Sequence, residues 1–171
     1  NNTTPCIEEL YKDLSIIKNK NCDRTVMEVS SEALLHGRVN DLKFDIIGFT
    51  NITGDHLNVH GTFENYVNCK LKLLDLVKEN GFVVVNGDDV NLQKIKCNKL
   101  LTFGFKSKNN YRICHVNYLS NHTEITVKHC RETINIKSPF LGEHNVYNVV
   151  MAFIICRLLG MNNDVLLKRI S

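Results

Sequence analysis

Apolar residues Ile7, Leu10, Tyr11, Leu14 and Ile17 recur at three- and four-residue steps, which predicts an amphipathic helix over residues 5–18. Thr4 is placed to cap it, with Pro5 at its first position. Three short apolar runs follow, at residues 25–29, 44–49 and 82–85, each of strand length and too uniformly apolar to face water on either side. Buried parallel strands are expected there. Between the second and third runs a helical pattern extends over residues 63–79, opened by Thr62 and stopped by Asn80-Gly81, which makes a β-α-β unit. A shorter helix-like stretch lies near residues 89–95. Residues 100–105, 111–119, 124–130 and 133–136 read as strands, divided by polar turns such as Lys108-Asn109-Asn110 and Ser120-Asn121-His122; the last three are expected to pair antiparallel. Residues 144–159 turn helical again, closed by Gly160, and a short helix starts at Asp164. The expected fold is one α/β domain over residues 1–171, three-layered, with a mainly parallel sheet and a small antiparallel extension at residues 100–136.

At 171 residues and 43% hydrophobic content, the chain suffices for one well-buried domain. A net charge of +3, with no basic run interleaved with aromatics, excludes a nucleic-acid surface. The seven cysteines are odd in number and form no C-x-x-C pair, which suits reduced thiols and a cytoplasmic location rather than a disulfide framework. N-x-T triplets, among them those at Asn2, Asn51 and Asn121, are what an Asn-rich chain yields by chance. No apolar run reaches the ~20 residues of a membrane span, and no basic-then-apolar leader opens the chain, so no membrane contact is expected.

Lys70 carries the most chemical information. On a helical projection of about 100° per residue it falls among Phe63, Tyr66, Val67, Leu73, Leu74 and Val77, a lysine in the middle of an apolar stripe. It is either a cation that snorkels outward along its aliphatic stem or an amine held neutral for chemistry. Glu28 interrupts an apolar run, and Asp55-His56 follow the next one. Both lie at the strand ends where open α/β sheets bind ligands, so a carboxylate and an imidazole can converge there on a metal and a phosphate. His56 and His60 stand four residues apart, a weak zinc pattern without further ligands. Asn86-Gly87-Asp88-Asp89 follows the third run directly, as a turn or as polar groups at the same sheet edge. Gly142-Glu143-His144-Asn145 opens the last long helix, as an ordinary cap or as a place where free N–H groups meet an anion.

In their order along the chain these segments resemble the Mur ligase family, and within it the ligases acting on UDP-N-acetylmuramoyl-L-alanyl-D-glutamate. Asn2-Thr3-Thr4-Pro5 resembles N-T-T-P. Met27 to Ser31, Ala33-Leu34 and Gly37-Arg38-Val39 resemble E-V-S-S-x-A-L-x-x-x-R-V. Residues 44–60 resemble F-D-x-x-x-F-T-N-x-x-x-D-H-L-D-x-H, continuing through Gly61, Glu64, Tyr66 and Lys70. Asn86, Asp88 and Asp89 resemble N-x-D-D, and Gly142, His144, Asn145 and Asn148 resemble G-x-H/F-N-x-x-N. The resemblance implies ATP-dependent amide formation through an acyl-phosphate on D-glutamate, attacked by the amine of a diamino acid, L-lysine or meso-diaminopimelate. It implies magnesium held by Glu28, His56 and a carbamylated Lys70. It further implies UDP-N-acetylmuramoyl-dipeptide contacts from Asn2, Thr3, Thr4, Ser30, His36 and Arg38, whose fork suits a carboxylate. Asn86, Asp89, His144 and Asn145 would lie near the nucleotide, in a protein that works as a cytoplasmic monomer in cell-wall synthesis.

The chain departs from the pattern at Asn58, where the family has Asp, at Glu32, where it has His, and at His36, where it often has another polar residue. No G-x-x-G-K-[ST] phosphate loop occurs in these residues. By the resemblance that loop precedes N-T-T-P, so a fragment without its flanking domains and without turnover of its own is expected. The rival readings are a folylpolyglutamate or cyanophycin synthetase, against which N-T-T-P with E-V-S-S argues, and a non-catalytic nucleotide-fold module, against which Glu28, His56 and Lys70 together argue. A secreted thiol-rich binding protein would need paired cysteines.

Overall fold

The structure is a computed structural model that describes residues 3–53 and 57–171, the side chain of Leu57 apart. Asn2 and His56 therefore lie outside the described residues. The chain forms two compact units, one of residues 1–44 with 54–76 and one of residues 45–53 with 77–171.

The first unit is helical. Helix α1 (Ile7–Asn19) buries Leu10, and α2 (Ser31–Leu35), α3 (Leu57–His60) and α4 (Phe63–Leu71) follow, with a 3-10 turn at Lys72–Leu76. Its core gathers Leu10, Leu34, Val39, Cys69 and Leu76, flanked by Leu14, Met27, Val29 and Leu73. Two sequence expectations fail here for one reason. Thr4 does not cap α1, whose N-cap position is Cys6, and residues 25–29 form no strand. The Thr4 side chain is instead fully buried, donating to the Glu28 carbonyl at 2.9 Å and accepting from the Ser30 N–H at 3.0 Å. A hydroxyl thus takes the place of a strand partner for residues 28–30. Met27 and Val29 still reach the core, which explains the apolar pattern, while Val26 is 91% exposed.

Thr62 caps α4 as expected, its side chain accepting from Asn65 N–H. The helix is shorter than the 63–79 pattern predicts. It tightens at Lys72 and the chain is already strand at Val77. Asn80-Gly81 is consequently no helix stop but part of the strand. A Cβ on Gly81 would lie 2.9 Å from the Asp45 carbonyl, so glycine is there to admit a neighbouring backbone.

The second unit holds a six-stranded sheet in chain order, β1 (Phe44–Phe49), β2 (Val77–Asn86), β3 (Leu100–Gly104), β4 (Tyr111–Tyr118), β5 (Thr123–His129) and β6 (Glu132–Ser138). Strands β2, β3 and β4 pair parallel, and β4, β5 and β6 antiparallel, so the α/β class holds with a mixed sheet. The antiparallel extension starts at residue 111, because residues 100–104 join the parallel part. Residues 89–95 are successive tight turns rather than a helix, closed by Leu92 N–H to Asp89 O and Ile95 N–H to Leu92 O. Helix α5 (Glu143–Leu158) buries Val146, Val149, Val150, Phe153 and Ile154, the i, i+3, i+4, i+7, i+8 stripe of a helix lying on a sheet. These meet Val84, Phe103, Ile113, Ile125 and Ile136, each full burial contributing about 1.5–3 kcal/mol. Helix α6 (Asn163–Ile170), capped by Asn162, extends the same core through Leu166.

Candidate functional site

A cleft of about 650 Å³ opens in the second unit, lined by Thr50, Asn51, Asn86, Asp88, Asp89, Glu143, His144, Tyr147 and Asn148. Its size is that of a small-molecule or cofactor site. Three elements build it: the chain leaving β1, the turn leaving β2, and the first turns of α5. This is the carboxyl edge of the strands facing a helix N-terminus, where unpaired N–H groups and the positive end of the dipole favour anions.

The turn after β2 is held by its own side chains. Buried Asn86 accepts from Asp88 N–H at 2.9 Å. Asp89 accepts from Ile52 N–H at 2.6 Å and from Asn91 N–H at 2.8 Å, fixing the segment beyond β1. Asp88 accepts from the N–H groups of Phe105 and Lys106, from the Asn109 amide, and from the Tyr147 hydroxyl at 3.2 Å. Burial, then the Asp88 carboxylate, pushes the Tyr147 phenol far above the usual tyrosine range, so it stays a hydrogen-bond donor. His144 and Asn148 are exposed to the cleft.

Of the residues expected near a nucleotide, Asn86, Asp89 and His144 meet here. Asn145 does not line the cleft, because its amide turns back to donate to the Leu141 carbonyl at 2.8 Å. Tyr147 and Glu143 were not among the expected residues. Tyr147 looks in the sequence like one more apolar position of α5, and only its partner Asp88, 59 residues away, marks it as part of the site.

In the first unit, three of the expected substrate residues form one hydrogen-bonded cluster. Arg38 donates from Nη1 to the Thr4 carbonyl at 3.1 Å, Thr4 bonds both Glu28 and Ser30, and the Ser30 hydroxyl caps α2 by accepting from Ala33 N–H at 3.1 Å. Fully buried Thr4 thus serves as the clamp of this cluster. Thr3 is exposed beside it, and His36 is exposed at the other end of α2. The Glu28 carboxylate is exposed. Lys70 is half-buried on α4, its ammonium 5.6 Å from the centre of the Tyr66 ring. Val67, Leu73, Leu74 and Val77, its neighbours on the helical projection, are partly rather than fully buried, so the stripe is shallower than that projection suggests. His60 is buried with its Nε2 3.0 Å from the Ser31 hydroxyl, while His56, the other member of the two-histidine pattern, lies outside the described residues. Among the described residues no group of three His, Cys, Asp or Glu stands ready for a metal ion, and no helix is long and apolar enough to cross a membrane. All seven cysteines are free thiols.

A cleft at the carboxyl edge of the strands, facing a helix N-terminus, is where open α/β folds bind their ligands. The family is fixed by comparison: the Mur ligase middle domain matches residues 1–156, and the chain belongs to that family. It is 42% identical over 153 residues to a UDP-N-acetylmuramoyl-L-alanyl-D-glutamate--2,6-diaminopimelate ligase of Chlamydia pneumoniae, covering 88% of this chain and 32% of that protein. It is 32% identical over 169 residues to the ligase of the same name from Synechococcus elongatus, covering 96% and 34%. A solved structure of such a ligase superposes with a TM-score of 0.86 at 25% identity, over 98% of this chain and 36% of that one. MurF ligase from Thermotoga maritima, solved with ADP, shares the fold at a TM-score of 0.68 and 20% identity, over 85% and 36%. The chain spans about a third of the length of these relatives.

Proposed function

We propose that the chain is the central part of an ATP-dependent amide ligase that joins a diamino acid to UDP-N-acetylmuramoyl-L-alanyl-D-glutamate. The observation that carries this reading is the polar cleft at the β1, β2 and α5 edge in a chain 42% identical to a ligase of that name. The D-glutamate carboxylate attacks the γ-phosphoryl group of ATP and releases ADP. The amine then attacks the acyl-phosphate, losing a proton as phosphate departs. Relatives' names make 2,6-diaminopimelate the first amine to try.

In this reading the cleft of the second unit takes the nucleotide. His144 and Asn148, on successive turns of α5, offer an aromatic face and an amide, and Asn86 and Asp89 keep the opposite wall rigid. Arg38, Thr4, Ser30, Thr3, His36 and Asn2 serve the nucleotide-sugar peptide, with Arg38 as the cation for a carboxylate. Thr4 acts by fixing the Arg38 guanidinium and the Ser30 backbone rather than by contact. Magnesium takes oxygen donors, and the exposed Glu28 carboxylate is one. Lys70, if carbamylated, would supply another, and His56 would add an imidazole nitrogen. Bound there, the ion would offset the charge that develops in phosphoryl transfer. Seven free thiols suit a cytoplasmic protein.

Titration of the full-length protein with ADP and magnesium tests the nucleotide half of this reading. His144→Ala and Asn148→Ala, both at exposed positions, are each expected to weaken ADP about fivefold to tenfold, one interaction of roughly 1 kcal/mol. Unchanged affinity in both variants would remove the cleft from the nucleotide site.

A further inference from the structure

We infer that Tyr147 and Asp88 form a clasp joining the two walls of the nucleotide cleft, and that Tyr147 is thereby a positioning residue for ATP. The inference rests on the nucleotide reading of the cleft. Tyr147 stands in α5 between His144 and Asn148, on the wall that offers side chains to the ligand. Its hydroxyl crosses to Asp88 on the opposite wall at 3.2 Å. Its ring packs edge-on to Phe105 at 5.6 Å between centroids and lies 6.3 Å from Phe103.

Asp88 is fixed independently of Tyr147. Its carboxylate takes the N–H groups of Phe105 and Lys106 and the Asn109 amide, while the Lys106 ammonium donates to its carbonyl at 2.9 Å. A carboxylate with that many donors is a rigid anchor, and the single hydroxyl reaching it from α5 sets where the helix start lies against the turn. Since Asp89, the next residue, holds the segment beyond β1, the clasp relates all three elements of the cleft through adjacent residues. A bond to an ionised acceptor is stronger than a neutral one. Losing it lets the α5 wall drift, and a displacement of an ångström is enough to weaken a ligand gripped by both walls.

Steady-state kinetics of the full-length ligase provide the test. Tyr147→Phe keeps the ring and its packing and removes only the hydroxyl. It is expected to raise KM for ATP about tenfold, with KM for the nucleotide-sugar peptide within about twofold and a thermal midpoint lowered by no more than about 4 °C. Asp88→Ala also raises KM for ATP, and adding Tyr147→Phe to it changes that value less than about twofold, because the two groups act as one unit. Full additivity of the two substitutions overturns the clasp, since the phenol would then act on the nucleotide without Asp88. If Tyr147→Phe leaves KM for ATP unchanged while His144→Ala raises it, the clasp is wrong and the nucleotide reading stands. If neither variant changes it, the nucleotide reading falls and the clasp with it.

Discussion

Replacing Lys70 by arginine is expected to lower turnover of the full-length ligase by about a thousandfold, the scale of losing one preorganised electrostatic group in an active site. The two side chains differ in the property that matters. Lysine can lose its proton and add carbon dioxide to become a carbamate, whereas a guanidinium stays charged and cannot. Both keep a cation near Tyr66, whose ring centre lies 5.6 Å from the Lys70 ammonium. Arginine therefore preserves what a snorkelling lysine does and removes what a carbamylated one does. Intact-mass measurement with and without bicarbonate gives the companion result, a labile adduct of the mass of carbon dioxide mapped to Lys70. Turnover retained within about tenfold by Lys70→Arg, with no adduct on the wild type, would make Lys70 a structural cation.

The second large effect is on stability. Gly104 ends β3 at φ 143°, a backbone region that side chains rarely occupy. A Cβ there would run into the Asp88 carboxylate and sit 2.8 Å from the Asn109 amide nitrogen. Both belong to the hydrogen-bonded knot that shapes the cleft. Gly104→Ala is expected to cost about 3 kcal/mol, backbone strain and steric overlap each contributing 1–3, or roughly 10 °C in thermal midpoint. Calorimetry and ADP titration should move together, because relieving the overlap means moving Asp88. A loss below about 0.5 kcal/mol, the ordinary scale for a surface change, would mean that the loop after β3 adapts freely.

Much of the fold is legible in the residues wherever a helix or strand buries one face of its own pattern. The α5 stripe from Val146 to Ile154 is a case in which periodicity suffices, while the β1 run Phe44–Phe49 is legible from its apolar length although Asp45 and Gly48 are exposed rather than buried. Legibility fails where a side chain replaces a backbone partner or where an apolar pattern outlives its element. Residues 25–29 read as a strand because Met27 and Val29 point inward, yet it is the distant Thr4 hydroxyl that binds this segment. The 63–79 stripe continues past the helix because the 3-10 turn and the start of β2 bury apolar residues too. At the cleft, Asn86, Asp89 and His144 are recognisable from motif and position, whereas the places of Tyr147 and Asn145 are not. Asn145 looks like a ligand group and its amide donates to the Leu141 carbonyl, while Tyr147 looks like core and its hydroxyl donates to Asp88.

The most direct measurement is a ligation assay with the full-length protein, ATP, magnesium, UDP-N-acetylmuramoyl-L-alanyl-D-glutamate and either meso-diaminopimelate or L-lysine, read by mass spectrometry and ADP release together. The expected result is a product heavier by one diamino acid less one water, formed with one ADP per amide and only when all components are present. ADP release indifferent to both acid and amine, or no product with either amine, would contradict the ligase assignment and leave a nucleotide-fold module without this chemistry.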